Sequence, residues 1–247
     1  MGVYCDAYDV DLSECEVPDG GFHSFDAFFT RRLKPGVRPI DSDATAIVSP
    51  ADGRIEAAGI VDSSARLLIK GCEYTVGELL GDEEATAALT GGFYFVVYLS
   101  PRDYHRVHAP VAGGVDRVHH VDGTLYPVND IGVRHVRSLF ARNERVAIHQ
   151  DSAEHGRTCT IMVGAIGVGR ISLSFDSTVI SNSSLPTGRR VYAESGRPSI
   201  ERGGELGMFH LGSTAIVFVK PSARSEFVRS IGDSVRMGEA VIRETRA

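Results

Sequence analysis

Phe93-Tyr94-Phe95-Val96-Val97-Tyr98-Leu99 is the longest unbroken apolar stretch of this 247-residue chain. Its β-branched and aromatic content predicts a buried strand. It is far shorter than the roughly 20 residues that a membrane-spanning helix needs, and no segment of the sequence spans a bilayer. Upstream, residues 75–91 form the best helical stretch, bounded by Thr75 and by Gly91-Gly92. Residues 48–61 read as strand, turn and strand around Asp52-Gly53. Ser24 caps a short amphipathic helix running towards Leu33, which Lys34-Pro35-Gly36 breaks. Residues 1–24 are acidic and turn-rich, and read as an irregular lead-in.

Downstream, residues 158–175 hold apolar or alternating segments punctuated by Gly164, Gly167 and Gly169. Residues 181–204 read as one long polar loop, and loops of that length are usually functional or mobile. A last strand over 214–219 precedes a short helix at 221–231. A weak internal repeat relates residues 50–62 to residues 110–122: proline, glycine, a branched residue, valine and aspartate recur at identical offsets. Gly232-Asp-Ser-Val-Arg-Met-Gly238-Glu has the turn pattern of biotinyl/lipoyl-type barrels. The expected fold is α+β and β-dominated. It has a compact, partly closed β core with biotinyl/lipoyl-barrel-like turns and a few short helices. No linker divides residues 1–247, so one domain is expected.

Composition removes several function classes. With 43% hydrophobic and 23% charged residues, the chain is neither disordered nor collagen-like. A net charge of −6 argues against a bulk nucleic-acid binder, so no nucleic acid is expected as a partner. Basic residues are mostly arginine, with only Lys34, Lys70 and Lys220 as lysines. That suits forked recognition of carboxylate or phosphate, and equally reflects a coding bias. Cys5, Cys15, Cys72 and Cys159 lie far apart, which excludes a zinc finger or a dense disulfide scaffold and makes reduced thiols the default. The acidic N-terminus has no basic region followed by an apolar one, so it is not a signal peptide.

Three places could carry chemistry. Tyr104-His105-Arg106-Val107-His108 offers two imidazoles for acid–base work; a core histidine or a metal ligand is the alternative, with no nearby third ligand for the latter. Asp52 precedes Gly53, and on its own reads as a plain turn residue. Gly207-Met-Phe-His210-Leu-Gly212-Ser213-Thr214 runs straight into an apolar strand. A serine after glycine can attack its own upstream carbonyl if a base takes its proton, but a loop-to-strand turn explains it too. No P-loop, G-x-S-x-G or H-E-x-x-H motif is present, and residues 164–169 are not a dinucleotide-binding glycine loop.

Taken together, six elements resemble the phosphatidylserine decarboxylase family, in family order over about residues 22–242. They are F-F-T-R-R-L-K-P-G-V-R-P-I-D (28–41), S-P-A-D-G (49–53), Y-L-S-P-R-D-Y-H-R-V-H-A-P (98–110), L-F-A-R-N-E-R-V (139–146), V-G-A-I-G-V-G (163–169) and F-H-L-G-S-T (209–214). The resemblance implies a serine proenzyme that cuts itself between Gly212 and Ser213, giving a larger chain 1–212 and a smaller chain 213–247. Asp52, His108 and Ser213 would form the charge relay for that cut. Ser213 would become a pyruvoyl group that holds substrate as a Schiff base, so neither an added cofactor nor a metal is expected. His105 would handle the proton at the decarboxylated carbon, with Tyr98 and Tyr104 as weaker substrate-pocket candidates.

The implied substrate is phosphatidylserine, met peripherally at an anionic membrane surface on the cytoplasmic side, by a homodimer of processed chains. Phe25, Phe28 and Phe29, followed by Arg31, Arg32 and Lys34, resemble an interfacial element; a core-packed cluster beside a solvated basic face is the alternative. Only 21 residues precede the region of resemblance, where many bacterial members carry further N-terminal helices. A truncated N-terminus, weak attachment or a soluble substrate would each account for this. Other readings are a decarboxylase of soluble aromatic amino acids, a non-cleaving barrel-type binding module, and a metal-dependent hydrolase using His105 and His108.

Overall fold

In a computed structural model of the chain, residues 1–128, 130–166, 170–183, 188–210, 213–220 and 224–245 are described. The fold is β-dominated, 38% strand and 14% helix, and its sheets are not closed into a barrel. Its largest sheet is antiparallel. The strand order is Gly188–Val191, Gly113–Val121, Arg145–Ser152, Gly156–Val163, Ser213–Val219, Phe93–Leu99, Gly53–Ile60 and Ser234–Val235, with Ser199–Ile200 also pairing with Gly113–Val121. Arg106–His108, Glu205–Phe209 and Ile171–Leu173 make a smaller sheet.

The apolar run that opened the sequence reading is the Phe93–Leu99 strand, paired on both sides. Successive side chains of a strand point to opposite faces. Accordingly Tyr94 and Val96 join Ile216 and Phe218 in one buried cluster, while Phe95 and Val97 join Val217 and Val219 in another. Both faces are covered, so the strand is apolar throughout rather than alternating. The internal repeat also has a physical counterpart: its two copies begin the strands Gly53–Ile60 and Gly113–Val121. The proline turns before them are cross-bonded, with the His108 N–H donating to the Pro50 carbonyl and the Val48 N–H to that of Pro110.

Several expectations are corrected. Residues 1–24 are not wholly irregular, because Gly2–Tyr8 is helical and its Tyr4 ring packs on Phe25 and Phe28. The stretch 75–91 holds two helices rather than one. Val76–Leu80 carries a capping box of Thr75 and Glu78, then stops at Gly81 in the left-handed region (φ 65°) before Thr86–Leu89 begins. The helix expected within 221–231 is replaced by the strand Ser225–Phe227, which pairs with Ala240–Glu244, although 221–223 lie outside the described residues. The polar loop 181–204 contains the short strands Gly188–Val191 and Ser199–Ile200. Ser24 does cap its helix, accepting from the Ala27 N–H at 3.0 Å, but the helix ends at Phe29.

Candidate active site

The topology gathers the three motifs. Arg106–His108 pairs with Glu205–Phe209, the strand leading to Gly212 and Ser213, and the Phe209 N–H donates to the His105 carbonyl at 2.9 Å. The His108 N–H bonds the Pro50 carbonyl in S-P-A-D-G at 2.8 Å. The Ser213 backbone heads the Ser213–Val219 strand opposite Leu99. Gly212 lies outside the described residues, as does the Ser213 side chain.

Asp52 is buried, and its carboxylate is held by Arg38. The guanidinium Nη2 stands 2.6 Å from Oδ2, and Nε reaches both carboxylate oxygens at 2.9 and 3.1 Å. The Met237 N–H, from the Gly232–Glu239 turn, donates to Oδ1 at 2.8 Å. Arg38 reaches Glu14 as well, at 2.7 Å, and these carboxylates hold its guanidinium in the charged form against burial. Gly53 is required at its position by close approach, since a Cβ there would lie 2.3 Å from the Tyr98 carbonyl oxygen.

His108 takes other partners than Asp52. Its Nδ1 donates to the Gly203 carbonyl at 2.8 Å, so Nε2 is free to accept from the Tyr104 hydroxyl at 3.1 Å. The relay order expected from the sequence, with Asp52 bonded to His108, is therefore not the hydrogen-bond pattern of this structure. The forked, fully charged Arg38 is the stronger partner for a buried carboxylate. Burial pushes the His108 pKa down, opposed by the Gly203 carbonyl and then by the charges of Glu205 and Asp52.

His105 is fully buried, its ring 4.0 Å from that of Phe29, and its Nδ1 donates to the Asp103 carbonyl at 2.8 Å. Its Nε2 is buried without a hydrogen-bond partner among the described residues. Burial lowers its pKa to about 3, with the charge of Arg31 adding to the effect, so the ring is neutral near pH 7.

Tyr98, Tyr104 and Asp52 line one cleft of about 670 Å³, whose wall includes the exposed Arg54, Arg102 and Arg236. The Lys70 ammonium lies 5.7 Å from the Tyr98 ring centroid. The basic-aromatic element splits: Phe28, Phe29 and Arg31 are buried, so the core-packed alternative holds for them, whereas Phe25, Arg32 and Lys34 are exposed. No helix among the described residues is long and apolar enough to cross a membrane.

Away from this cleft, His120, Asp122 and Glu144 bring ligand atoms within 4.8 Å of one another, a group able to hold a metal ion. Glu144 Oε1, however, already accepts from His120 Nε2 at 2.8 Å and from the Asn182 N–H at 2.7 Å, so an ion there would have to displace these bonds. Arg38 and His210 lie within quoted motifs but were given no role from the sequence, and Glu14 and Gly203 lie outside those motifs.

The profile of the phosphatidylserine decarboxylase family matches residues 25–243. A phosphatidylserine decarboxylase proenzyme of Myxococcus xanthus is 40% identical over 243 residues, 98% of this chain and 83% of that protein. The proteins of the same description from Methylococcus capsulatus and Brevibacillus brevis are 44% and 37% identical. They cover 95% and 96% of this chain, and 82% and 85% of their own lengths are matched. Such matches put the chain among the carboxy-lyases. It belongs to the phosphatidylserine decarboxylase family.

Proposed function

We propose that this chain is a self-processing, pyruvoyl-dependent decarboxylase that converts phosphatidylserine to phosphatidylethanolamine. The observation that carries the reading is the gathering of S-P-A-D-G, the double-histidine segment and the approach to Ser213 by direct backbone hydrogen bonds. In the processing step, the Ser213 hydroxyl attacks the Gly212 carbonyl and the C–N bond breaks, turning the peptide into an ester. Elimination then releases the larger chain, 1–212, as a carboxylate. Hydrolysis of the remaining enamine frees ammonia and leaves the 213–247 chain blocked by a pyruvoyl group. His108 is the base for the serine proton: it is neutral, and its Nε2 faces a hydroxyl already. Asp52 acts from behind as a charge near His108, oriented by Arg38.

His105 Nε2 is buried without a partner among the described residues, which leaves a lone pair available for chemistry. When formed, the pyruvoyl carbonyl supplies the electron sink for loss of carbon dioxide. His105, with Nδ1–H fixed on the Asp103 carbonyl, presents Nε2 as the site that holds and returns the proton at the decarboxylated carbon. Arg54, Arg102 and Arg236 of the cleft wall, set among Asp9, Asp11 and Asp103, can meet the phosphodiester of a lipid headgroup, and the description of the relatives favours that substrate over a free amino acid. Exposed Phe25, Arg32 and Lys34 support peripheral contact with an anionic, cytoplasmic membrane surface; a homodimer follows from the resemblance alone. Carboxyl-labelled phosphatidylserine in detergent micelles tests the reading. Release of labelled carbon dioxide, blocked by a carbonyl reagent, is expected. Turnover of aromatic amino acids with none of the lipid would replace it with the soluble-substrate alternative.

A further inference from the structure

The chain approaching Ser213 is held by more than sheet pairing. His210 has both ring nitrogens engaged: Nδ1 lies 2.6 Å from Asp26 Oδ1 and Nε2 lies 3.0 Å from Ser172 Oγ. A carboxylate only accepts, so Nδ1 carries the proton, and the lone pair of Nε2 accepts from the Ser172 hydroxyl. The His210 side chain is 11% exposed. Its backbone N–H donates to the Arg170 carbonyl at 2.9 Å. The Arg170 guanidinium stands 3.2 Å from Nδ1 and 3.9 Å from Asp26; as a donor facing a nitrogen that already carries a proton, it serves to balance the carboxylate charge.

The order Asp26, His210, Ser172 is that of a hydrolase relay, yet Ser172 is poorly placed as a nucleophile. It sits in the middle of the Ile171–Leu173 strand, paired with Met208 on one side and bridged to Ile180 on the other, so both of its flanks are taken up by sheet pairing. The arrangement is instead a tether joining three parts of the chain: the Phe25–Phe29 helix, the Ile171–Leu173 strand and the segment two residues before the Gly212–Ser213 bond.

We propose that His210 is a positioning residue for self-cleavage, anchoring the upstream side of the scissile bond as the Ser213–Val219 strand anchors the downstream side. This rests on the proposed processing reaction. With His210 and the Ser213–Val219 strand both held, productive approach of the serine hydroxyl to the upstream carbonyl is favoured; with His210 released it becomes rarer.

The test follows fragment formation in full-length wild-type protein and in His210→Ala, His210→Gln, Asp26→Ala and Ser172→Ala variants, alongside thermal unfolding of each. His210→Ala should slow cleavage by about tenfold or more, the effect of losing two hydrogen bonds at a positioned group. Asp26→Ala and Ser172→Ala should each slow it by less. His210→Gln, whose amide offers an NH2 donor to Asp26 and a carbonyl acceptor to Ser172, should recover most of the rate. Cleavage of His210→Ala at the wild-type rate would overturn the proposal. So would equal slowing in His210→Ala and His210→Gln in step with lost thermal stability, which would mark a merely structural role. Wild-type protein that never cleaves would overturn the processing reading, and this inference with it.

Discussion

The Arg38 guanidinium closes on the Asp52 carboxylate at 2.6 Å, and this pair, rather than Asp52 with His108, is the charged contact at the head of the candidate site. Asp52 is thereby held between Arg38 and the Met237 N–H, while His108 is steered by Gly203 and Tyr104.

Because the Arg38–Asp52 pair is buried, removing one partner leaves the other charge uncompensated. Arg38→Ala should cost about 3–5 kcal/mol of stability. Arg38→Lys keeps the charge without the fork, and should recover only part of it. Urea unfolding of both variants checks this, and a loss for Arg38→Ala no larger than that of an exposed arginine would refute it.

Gly53 faces the Tyr98 carbonyl oxygen at a separation that leaves no room for a side chain. Gly53→Ala should destabilise by about 1–3 kcal/mol through overpacking. It should also disturb Asp52, which precedes it. Matching unfolding midpoints for Gly53→Ala and wild type would count against the close approach.

Two buried histidines make the fold acid-sensitive. The pKa of His105 is lowered to about 3, and that of His149, whose ring nitrogens lack partners among the described residues, to about 4, in both cases chiefly by burial. The unfolded rings bind protons below about pH 6.5 and the folded ones do not. Stability is therefore full above that pH and falls as pH drops towards 4, by roughly 1 kcal/mol per histidine per pH unit. Denaturation midpoints across this window should fall less steeply for His149→Gln; identical slopes would show that His149 does not contribute.

The two histidines of the double motif should separate by function. His108→Ala should block self-cleavage. His105→Ala should cleave and then lose turnover, by about 10²–10⁴-fold for a group that handles the proton. Gel analysis of fragments beside a carbon dioxide assay distinguishes them, and a His105→Ala protein unable to cleave would contradict the division.

Much of this architecture was legible in the sequence where local chemistry decides the outcome. The Phe93–Leu99 strand, the Ser24 and Thr75 caps and the paired proline–glycine turns all follow from patterning within a few residues. Failures came where distant partners decide. Gly2–Tyr8 is helical with its Tyr4 ring on Phe25 and Phe28, and residues 225–227 are extended because Ala240–Glu244 pairs with them. The motif residues were found by resemblance, but nothing local indicates that Arg38 rather than His108 holds Asp52, since they are brought together from separate segments. A short aromatic run next to arginines looks the same whether it faces lipid or core, so the burial of Phe28 and Phe29 is visible only in the fold.

The most direct measurement is the intact mass of freshly purified protein beside a Ser213→Ala control. Two fragments divided between Gly212 and Ser213 are expected, the smaller lighter by one ammonia equivalent than a serine-headed chain, beside a single uncut control. One full-length species in both samples, even after long incubation with anionic phospholipid, would contradict self-processing.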